Sequence, residues 1–263
     1  MSIVILVGGS TTNGNYEHRY LVNAFLEEFG DQVTRVISAE PVQRSLGLKI
    51  KRTLKRGQYW ERIARARYKK PFGPDGDLLG KALFGDQLLE TMPGGEKHAV
   101  VPDHNGPECE ALLDTDKPDI IVVYGTRIIR DNIFRRAGKV TLNMHTGLSP
   151  YYRGDSTLFW PVYYNDPDHL GVTVHKLVAE VDGGDIVHTG KVDYSPGDTE
   201  ADLFSKGVKV GTELYLKAVH AALNNTIEYH PQDLSQGREF SWTHRTVAAE
   251  KQVLANLEKW SKQ

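Results

Sequence analysis

The sequence opens with an unbroken apolar run, Ile3–Val7, which Gly8 and Gly9 close. A run of aliphatic residues without polar alternation is typical of a parallel strand that is buried on both faces. A helical pattern follows and ends at Gly30, and further apolar runs recur along the first half of the chain. Strands that alternate with helices at this pace predict an α/β fold with a mostly parallel sheet covered by helices on both faces.

The periodicity predicts the remaining elements in the same way. In the first half we predict strands at 33–37, 98–101, 119–123 and 140–145, helices at 108–113 and 129–137, and a Gly/Pro-rich loop at 71–80. The second half alternates polar and apolar residues at 171–178 and 185–194, which predicts antiparallel additions to the sheet. A short helix is predicted at 155–165. Thr199 and Asp202 form a possible capping box before a long helix whose apolar stripe is core packing.

The charge of the chain is unevenly distributed. Its formal net charge is −2, yet residues 44–70 carry eleven Lys and Arg against one acidic residue, Glu61. This segment, which we call the basic segment, therefore holds +10, and the rest of the chain holds −12. An acidic body argues against a broad nucleic-acid surface. The pattern within the basic segment predicts two short amphipathic helices. They would be a plain solvated surface, a lid over a phosphorylated substrate, or a patch that contacts anionic lipid.

The cysteine content and the hydropathy of the sequence bear on the cellular compartment in which the protein is expected. The single Cys109 cannot form an internal disulfide, and its neighbours Glu108 and Glu110 disfavour a thiolate, so we expect a buried, inert thiol. The sequence contains no stretch of 18 apolar residues, and its first apolar run ends too early for a signal peptide. We therefore expect a cytoplasmic protein without a transmembrane segment.

Several motifs of known chemistry are incomplete. Gly9 and Gly14 have the spacing of a phosphate loop, but Asn15 and Tyr16 stand where Lys and Ser/Thr are required. The turn between the two glycines, Ser10-Thr11-Thr12-Asn13, is still small and hydroxyl-rich before a helix, so it either binds an anion or is a structural turn. The sequence has no G-x-G-x-x-G after the first strand, no H-E-x-x-H and no paired C-x-x-C, which predicts neither a dinucleotide cofactor nor a metal.

One constellation of polar residues suits acyl chemistry. Asn143 and His145 are two apart on a predicted strand, so they share one face at its carboxyl end, where ligands bind in parallel sheets. Asp182 lies in an acidic turn, residues 180–185, between two later strands. An amide, an imidazole and a carboxylate can stabilise an oxyanion and move protons while an amine attacks a carbonyl. Taken singly, each residue has an ordinary structural explanation, as a cap, a strand residue or a turn residue.

Three ordered elements together resemble the 10-formyltetrahydrofolate-dependent formyltransferases. They are Asn143-Met144-His145, the loop Ser149-Pro150-Tyr151-Tyr152-Arg153-Gly154, and Asp182-Gly183-Gly184-Asp185-Ile186. The resemblance is close over residues 119–222. It implies a Rossmann-like catalytic domain over 1–225, with the basic insertion at 41–80 and a C-terminal extension at 226–263.

The resemblance also implies the roles of individual residues. It implies that Asn143, His145 and Asp182 are catalytic and that 10-formyltetrahydrofolate is the formyl donor. The pterin would bind, largely through backbone groups, at two segments that contain Tyr124, Gly125, Arg127, Ile128 and Ile129, and Leu177, Val178 and Val181. The acceptor would contact six further residues: Ser10, Thr11, Thr12, Asn13, Tyr152 and Arg153.

Departures from the family bear on the acceptor. Methionyl-tRNA transferases carry a further C-terminal β-domain, and the body here is acidic, so no nucleic-acid partner is expected. By elimination we predict a small anionic amine, a nucleotide-linked amino sugar, as the acceptor. The alternatives are a phosphoribosylglycinamide formyltransferase, a formyltetrahydrofolate hydrolase and a non-catalytic folate-binding protein.

Overall fold

The computed structural model describes residues 1–9, 15–40, 59–68, 70 and 72–262. Its main sheet has seven strands in the order β3-β2-β1-β4-β5-β7-β8, and a separate pair is formed by β6 and β9. The strands are β1 (Ile3–Val7), β2 (Val33–Ala39), β3 (His98–Val101), β4 (Ile120–Tyr124), β5 (Val140–His145), β6 (Tyr152–Gly154), β7 (Gly171–Lys176), β8 (Ile186–Lys191) and β9 (Arg238–Phe240).

The pairing confirms the predicted fold class. Strands β1 to β5 of the main sheet are parallel to their neighbours, whereas β7 is antiparallel to both β5 and β8. The sheet is therefore Rossmann-like through β5 and antiparallel at one edge. This change of direction sets Asn143 of β5 opposite His175 of β7.

The described helices are α1 (Tyr16–Phe29), α2 (Tyr59–Arg67), α3 (Gly76–Phe84), α4 (Pro107–Asp116), α5 (Asp131–Phe134), α6 (Phe159–Tyr163), α7 (Glu200–Leu223) and α8 (Val247–Trp260). The predicted capping box is present, because the Thr199 hydroxyl accepts from the N–H of Asp202 and the Asp202 carboxylate accepts from the N–H of Thr199. The apolar stripe of α7 packs against the sheet as predicted, with Val208, Tyr215 and Val219 wholly buried.

The predicted loop at 71–80 is wrong, because α3 begins at Gly76 within it. The Asp75 side chain caps this helix by accepting from the N–H groups of Asp77 and Leu78, both at 3.0 Å. Leu79 and Leu83 then pack against Val208 of α7. An N-terminal cap and an apolar face outweigh the low helix propensity of the glycines.

Two predicted helices are shorter than expected. The helix predicted at 129–137 is reduced to α5, because Arg130 has extended backbone dihedrals at its N-terminal side. The helix predicted at 155–165 is reduced to α6. Ser156 adopts a left-handed conformation with φ 59°, which a continuous right-handed helix does not allow.

The core lies on both faces of the sheet. On one face α1 and α7 cover the strands with Leu21, Phe25 and Tyr215, and on the other α4 and α5 cover them with Leu113 and Ile133. The Tyr215 hydroxyl donates to the carbonyl of Leu142 at 2.6 Å and accepts from the N–H of Val123 at 2.8 Å. Cys109 is buried in the second cluster, as predicted, and burial raises the pKa of its thiol to about 12.

The segment after α7 packs back on the molecule. Strand β9 pairs in parallel with β6, and α8 lies against α6. The Asn256 amide donates to the carbonyl of Val162 at 2.7 Å, and the Trp260 indole donates to Asn165 at 2.8 Å. The predicted C-terminal extension, over its described residues, is thus in contact with the loop that follows β5.

Part of the basic segment is described. Helix α2 confirms the second of the two predicted amphipathic helices, while the first falls in residues 41–58 and lies outside the described residues. Glu61 accepts from the N–H of Val247 at 2.9 Å, and the Arg65 guanidinium donates to the carbonyl of Arg245. Trp60 is 76 % exposed. None of the helices in the described ranges is long and apolar enough to cross a membrane.

Candidate active site

The structure brings the three predicted catalytic side chains together. Asn143 and His145 point to the same side of β5, and the Asp182 turn lies against them. The Asp182 Oδ2 atom is 3.3 Å from His145 Nδ1, and the Asp182 Oδ1 atom is 3.5 Å from Asn143 Nδ2. Since β5 ends here, the cluster lies at the carboxyl edge of the parallel part of the sheet, where ligands bind in such folds.

A fourth residue, His175, completes the cluster and was missed by the sequence analysis. Its Nε2 atom lies 3.1 Å from Asn143 Nδ2 and 3.5 Å from Asp182 Oδ1, and its Nδ1 atom lies 2.9 Å from the carbonyl of Lys176. A carbonyl oxygen only accepts, so Nδ1 carries a hydrogen. In the neutral ring Nε2 accepts from the Asn143 amide, and in the protonated ring it donates to Asp182 Oδ1. The signal that could have found His175 is the register of the predicted antiparallel strand at 171–178 against β5, which a single sequence does not specify.

Asp182 is largely shielded from solvent, yet its surroundings favour the ionised carboxylate. Its side chain is 13 % exposed. Burial alone would raise its pKa, but the charge of His145, the hydrogen bond and charge of His175, and the N–H of Gly154 at 2.8 Å outweigh this and hold the pKa well below its usual range. The residue also adopts a left-handed backbone, with φ 48°. Asp and Asn tolerate this region better than most residues.

His145 has a partner at each ring nitrogen. Its Nε2 atom lies 2.9 Å from the carbonyl oxygen of Tyr152, and its Nδ1 atom faces the Asp182 carboxylate. Both partners are acceptors, so this arrangement suits a ring with hydrogens on both nitrogens, the imidazolium form. The expected role of His145 as a free donor to an oxyanion therefore requires it to leave Tyr152. The Asn143 amide is the more available donor, because one of its hydrogens is held only by the 3.5 Å contact to Asp182.

The loop from β5 to β6 is built to hold this carboxylate. Gly154 has φ 88°, and a Cβ there would lie 2.1 Å from the carbonyl oxygen of Phe240, so no other residue fits beside β9. Arg153 donates to the carbonyl of Val181 at 3.2 Å, which ties the loop to the Asp182 turn. Tyr152 is buried, and its hydroxyl donates to Asp166 at 2.8 Å. Tyr152 and Arg153 thus lie at the site, where the structure gives them supporting contacts.

The first predicted pterin segment follows β4 at the same edge. Tyr124 is buried at the strand end, Gly125 has φ 62°, and Ile129 is buried below. Ile128 is 70 % exposed, an unusual degree for an isoleucine, and its carbonyl accepts from the Asn105 amide at 3.0 Å. Arg127 lies 3.9 Å from Asp103 at an exposed position.

The second predicted pterin segment runs beside the first. The N–H of Leu177 donates to the carbonyl of Thr141 at 2.8 Å, and its side chain packs on the same core cluster as Ile129. Among the described residues, the N–H groups of 126–129 and of 178–182, which include those of Val178 and Val181, have no backbone partner. Apolar side chains together with unpaired backbone donors fit a flat heteroaromatic ring that carries hydrogen-bonding edges, as a pterin does.

Other features of the described ranges are less informative. Ser10, Thr11, Thr12 and Asn13, predicted to contact the acceptor, lie outside the described residues. Two surface clefts of about 550 and 470 Å³ share Tyr164 and Arg238, and the second also contains Tyr152; neither lining includes Asn143, His145 or Asp182. Within the part of the chain that is described, no group of three His, Cys, Asp or Glu side chains has the arrangement of a metal site.

Comparison with known families bears on this geometry. A profile of the formyl transferase family matches residues 96–219, which run from just before β3 into α7 and contain the whole cluster. Through this segment the chain is similar to the formyltransferase family. The methionyl-tRNA formyltransferase of Desulfotalea psychrophila is 36 % identical over 124 residues, which cover 46 % of this chain and 38 % of that protein. The chain spans about two fifths of the length of the curated relatives it matches.

Solved structures extend the likeness over nearly the whole chain. A sugar N-formyltransferase from a Shewanella species has a TM-score of 0.60 at 12 % identity and covers 97 % of this chain and 88 % of its own. An N-formyltransferase from Helicobacter canadensis has a TM-score of 0.58 at 19 % identity and covers 98 % and 81 %. At this level of identity these formyltransferases share the fold with the present chain.

Proposed function

We propose that this chain transfers a formyl group from 10-formyltetrahydrofolate to the amine of a small anionic acceptor, a nucleotide-linked amino sugar. The observation that carries the proposal is the cluster of Asn143, His145, His175 and Asp182 at the carboxyl edge of the sheet, within the segment that matches the formyltransferase family. The unpaired donors of the two strand-end segments lie at the same edge and suit the pterin.

In the proposed reaction these residues have different roles. The neutral amine attacks the formyl carbon, a C–N bond forms, and negative charge develops on the formyl oxygen. The Asn143 amide donates to this oxygen, because one of its hydrogens points to His175 and the other is held only by the long contact to Asp182. His145, which faces Asp182 and Tyr152, contributes a positive charge beside it.

Asp182 acts through its charge in this proposal. A carboxylate whose pKa is held well below its usual range is a poor base, so it keeps His145 charged and oriented and does not carry the proton itself. The bond between the formyl carbon and N10 then breaks, and the proton that the amine loses passes to N10 of the departing tetrahydrofolate, directly or through water. Holding two substrates in line supplies much of the remaining rate.

The acceptor is proposed from how much of this chain is similar to each group of formyltransferases. The match to methionyl-tRNA formyltransferases is confined to about half of this chain, whereas the sugar N-formyltransferases superpose over nearly all of it. The Helicobacter canadensis protein was solved in complex with folinic acid and dTDP-3-aminofucose. An acceptor of that class also suits the +10 charge of the basic segment, which provides a local field for a diphosphate.

The test is an acceptor screen with the purified full chain and 10-formyltetrahydrofolate. Tetrahydrofolate release is followed by absorbance, and the formylated product by mass spectrometry, across nucleotide-linked amino sugars, phosphoribosylglycinamide and methionyl-tRNA. Formylation of an amino sugar at the highest kcat/KM is the expected result. Turnover on phosphoribosylglycinamide instead would correct the acceptor, formate release without any acceptor would indicate a hydrolase, and folate binding without turnover would indicate a binding protein.

A further inference from the structure

The Asp182 turn is held by a residue from outside the family-matched segment. The side-chain amide of Gln232 donates to the carbonyl of Asp182 at 2.9 Å and also to the carbonyl of Gly184. One NH₂ group thus bridges the two carbonyls on either side of Gly183. The Gln232 Oε1 atom is buried and has no hydrogen-bond partner among the described residues. A buried, half-satisfied amide is unfavourable, so simple packing would be better served by an apolar side chain.

The turn needs such support because of its backbone. Asp182 is a non-glycine residue at φ 48°, a region that costs free energy and persists only where the surroundings fix it. In this conformation the carboxylate reaches His145 Nδ1 at 3.3 Å and His175 Nε2 at 3.5 Å. A change of this φ would move both oxygens away from the two imidazoles, because the Cα–Cβ bond turns with the backbone.

Gln232 is itself held close to the strand that follows the turn. Two residues earlier, His230 exchanges backbone hydrogen bonds with Ile186 at the start of β8, both at 2.8 Å. Only Pro231 lies between His230 and Gln232, so the backbone at Gln232 is held close to β8. Two residues later, Leu234 packs over Gly183. The segment 230–234 therefore forms a brace across the acidic turn.

We propose that Gln232 is a positioning residue for formyl transfer: its side-chain amide holds the Asp182–Gly184 turn in the conformation that aims the Asp182 carboxylate at His145 and His175. The inference rests on the proposed function. Among the described contacts, the Gln232 amide bonds to Asp182 and Gly184 and to none of the residues assigned to the pterin. Its loss should therefore lower kcat and leave the KM of the donor nearly unchanged.

The experiment compares two variants of nearly equal size in the full chain. Gln232→Met keeps the length and removes the donor, and we expect kcat to fall by about 10-fold or more, because small displacements of catalytic groups have large effects on rate. In Gln232→Glu, the ionised carboxylate can only accept, so it repels the carbonyl oxygens of Asp182 and Gly184. The protonated carboxyl group has one O–H, which can donate to one of these carbonyls. The kcat of Gln232→Glu relative to wild type should therefore rise as the pH falls from about 8 to about 6.

Gln236→Met is the matched control. Gln236 is an exposed glutamine four residues later, whose amide donates to Asp233 at 3.2 Å and, among the described residues, to no part of the Asp182 turn. The control should match wild type in kcat and thermal stability. If Gln232→Met does not fold, the pH profile of Gln232→Glu carries the test alone.

A readout without substrate separates this inference from the proposed function. The carboxyl ¹³C signal of Asp182 should titrate at a higher pH in Gln232→Met than in wild type or Gln236→Met, because its contacts with the two histidines lengthen. If the wild-type chain formylates nothing but this shift is present, the proposed function fails and the positioning role stands. The positioning role would be overturned if Asp182 titrates in Gln232→Met as it does in the wild type and kcat is normal. It would also be overturned if that titration is unchanged and kcat falls, but Gln232→Glu does not recover activity at low pH.

Discussion

Replacing Asp182 by Asn removes one negative charge from the centre of the cluster and preserves its shape. Asn also tolerates the left-handed φ of 48°, so the turn should keep its conformation. At the 3.3 Å that separates Asp182 from His145, a charge pair is worth about 5 kcal/mol at an effective dielectric constant of about 20. The amide oxygen of Asn retains part of this attraction. A loss of roughly half, about 2.5 kcal/mol, corresponds to a decrease in kcat of about 10²-fold.

The assay is steady-state turnover of the best acceptor, with melting temperature and folate binding measured in parallel. Asp185→Asn is the control, because this carboxylate lies in the same turn and acts electrostatically on Tyr229, outside the cluster. Asp182→Asn should lower the melting temperature at neutral pH, and its difference from the wild type should shrink in acid. The low folded pKa of Asp182 stabilises the wild type above the unfolded pKa of about 4, and this contribution is lost as the pH falls through the folded value. Near-normal turnover of Asp182→Asn with a large loss in Asp185→Asn would refute the assignment.

Three further predictions concern the oxyanion, the acceptor and the core. Asn143→Ala and His145→Ala should each lower kcat by about 10²-fold and leave folate affinity, measured by equilibrium titration, nearly unchanged; normal turnover in both would exclude the catalytic role. Charge reversal to Glu in the basic segment should raise the acceptor KM in low salt without affecting folate binding, whereas loss of binding to anionic vesicles with normal acceptor kinetics would indicate a lipid surface instead. The residues to reverse are Lys51, Arg52, Lys55 and Arg56. Tyr215→Phe should destabilise the fold by about 1–3 kcal/mol in denaturant titrations, since it leaves Val123 N–H and the Leu142 carbonyl without their buried partner; an unchanged midpoint would contradict this.

The parallel strands of the sheet were predictable because each is a short, unbroken run of apolar residues. Such a run indicates a buried strand without any knowledge of its neighbours. The strand at Val140–His145 and the capping box at Thr199 agree with the prediction at residue level. The helix from Gly76 was missed because Asp75 and the packing of Leu79 and Leu83 outweigh local glycine content. Such tertiary contacts are invisible to a propensity argument.

The site was predictable only in part. Asn143 and His145 follow from the two-residue period of a strand, and Asp182 follows from the resemblance of the acidic turn to a family motif. His175 and Gln232 come from segments 32 and 50 residues away from their partners, and neither stands in a motif. Only the register of β7 against β5 and the return of the chain after α7 bring them into contact, and a single sequence determines neither.

The parallel pairing of β6 with β9 joins residues that are 86 positions apart. During synthesis the strands of the main sheet are complete at Lys191, but the partner of Tyr152–Gly154 emerges only with Arg238–Phe240. Ribosomes add about 5–20 residues per second, so the chain between Lys191 and Arg238 takes some seconds to synthesise. In that interval the nascent chain can bury its sheet while the loop that contacts Asp182 has an unpaired edge. The order of translation therefore separates formation of the main sheet from assembly of the site, which is complete only after Arg238–Phe240 has been made.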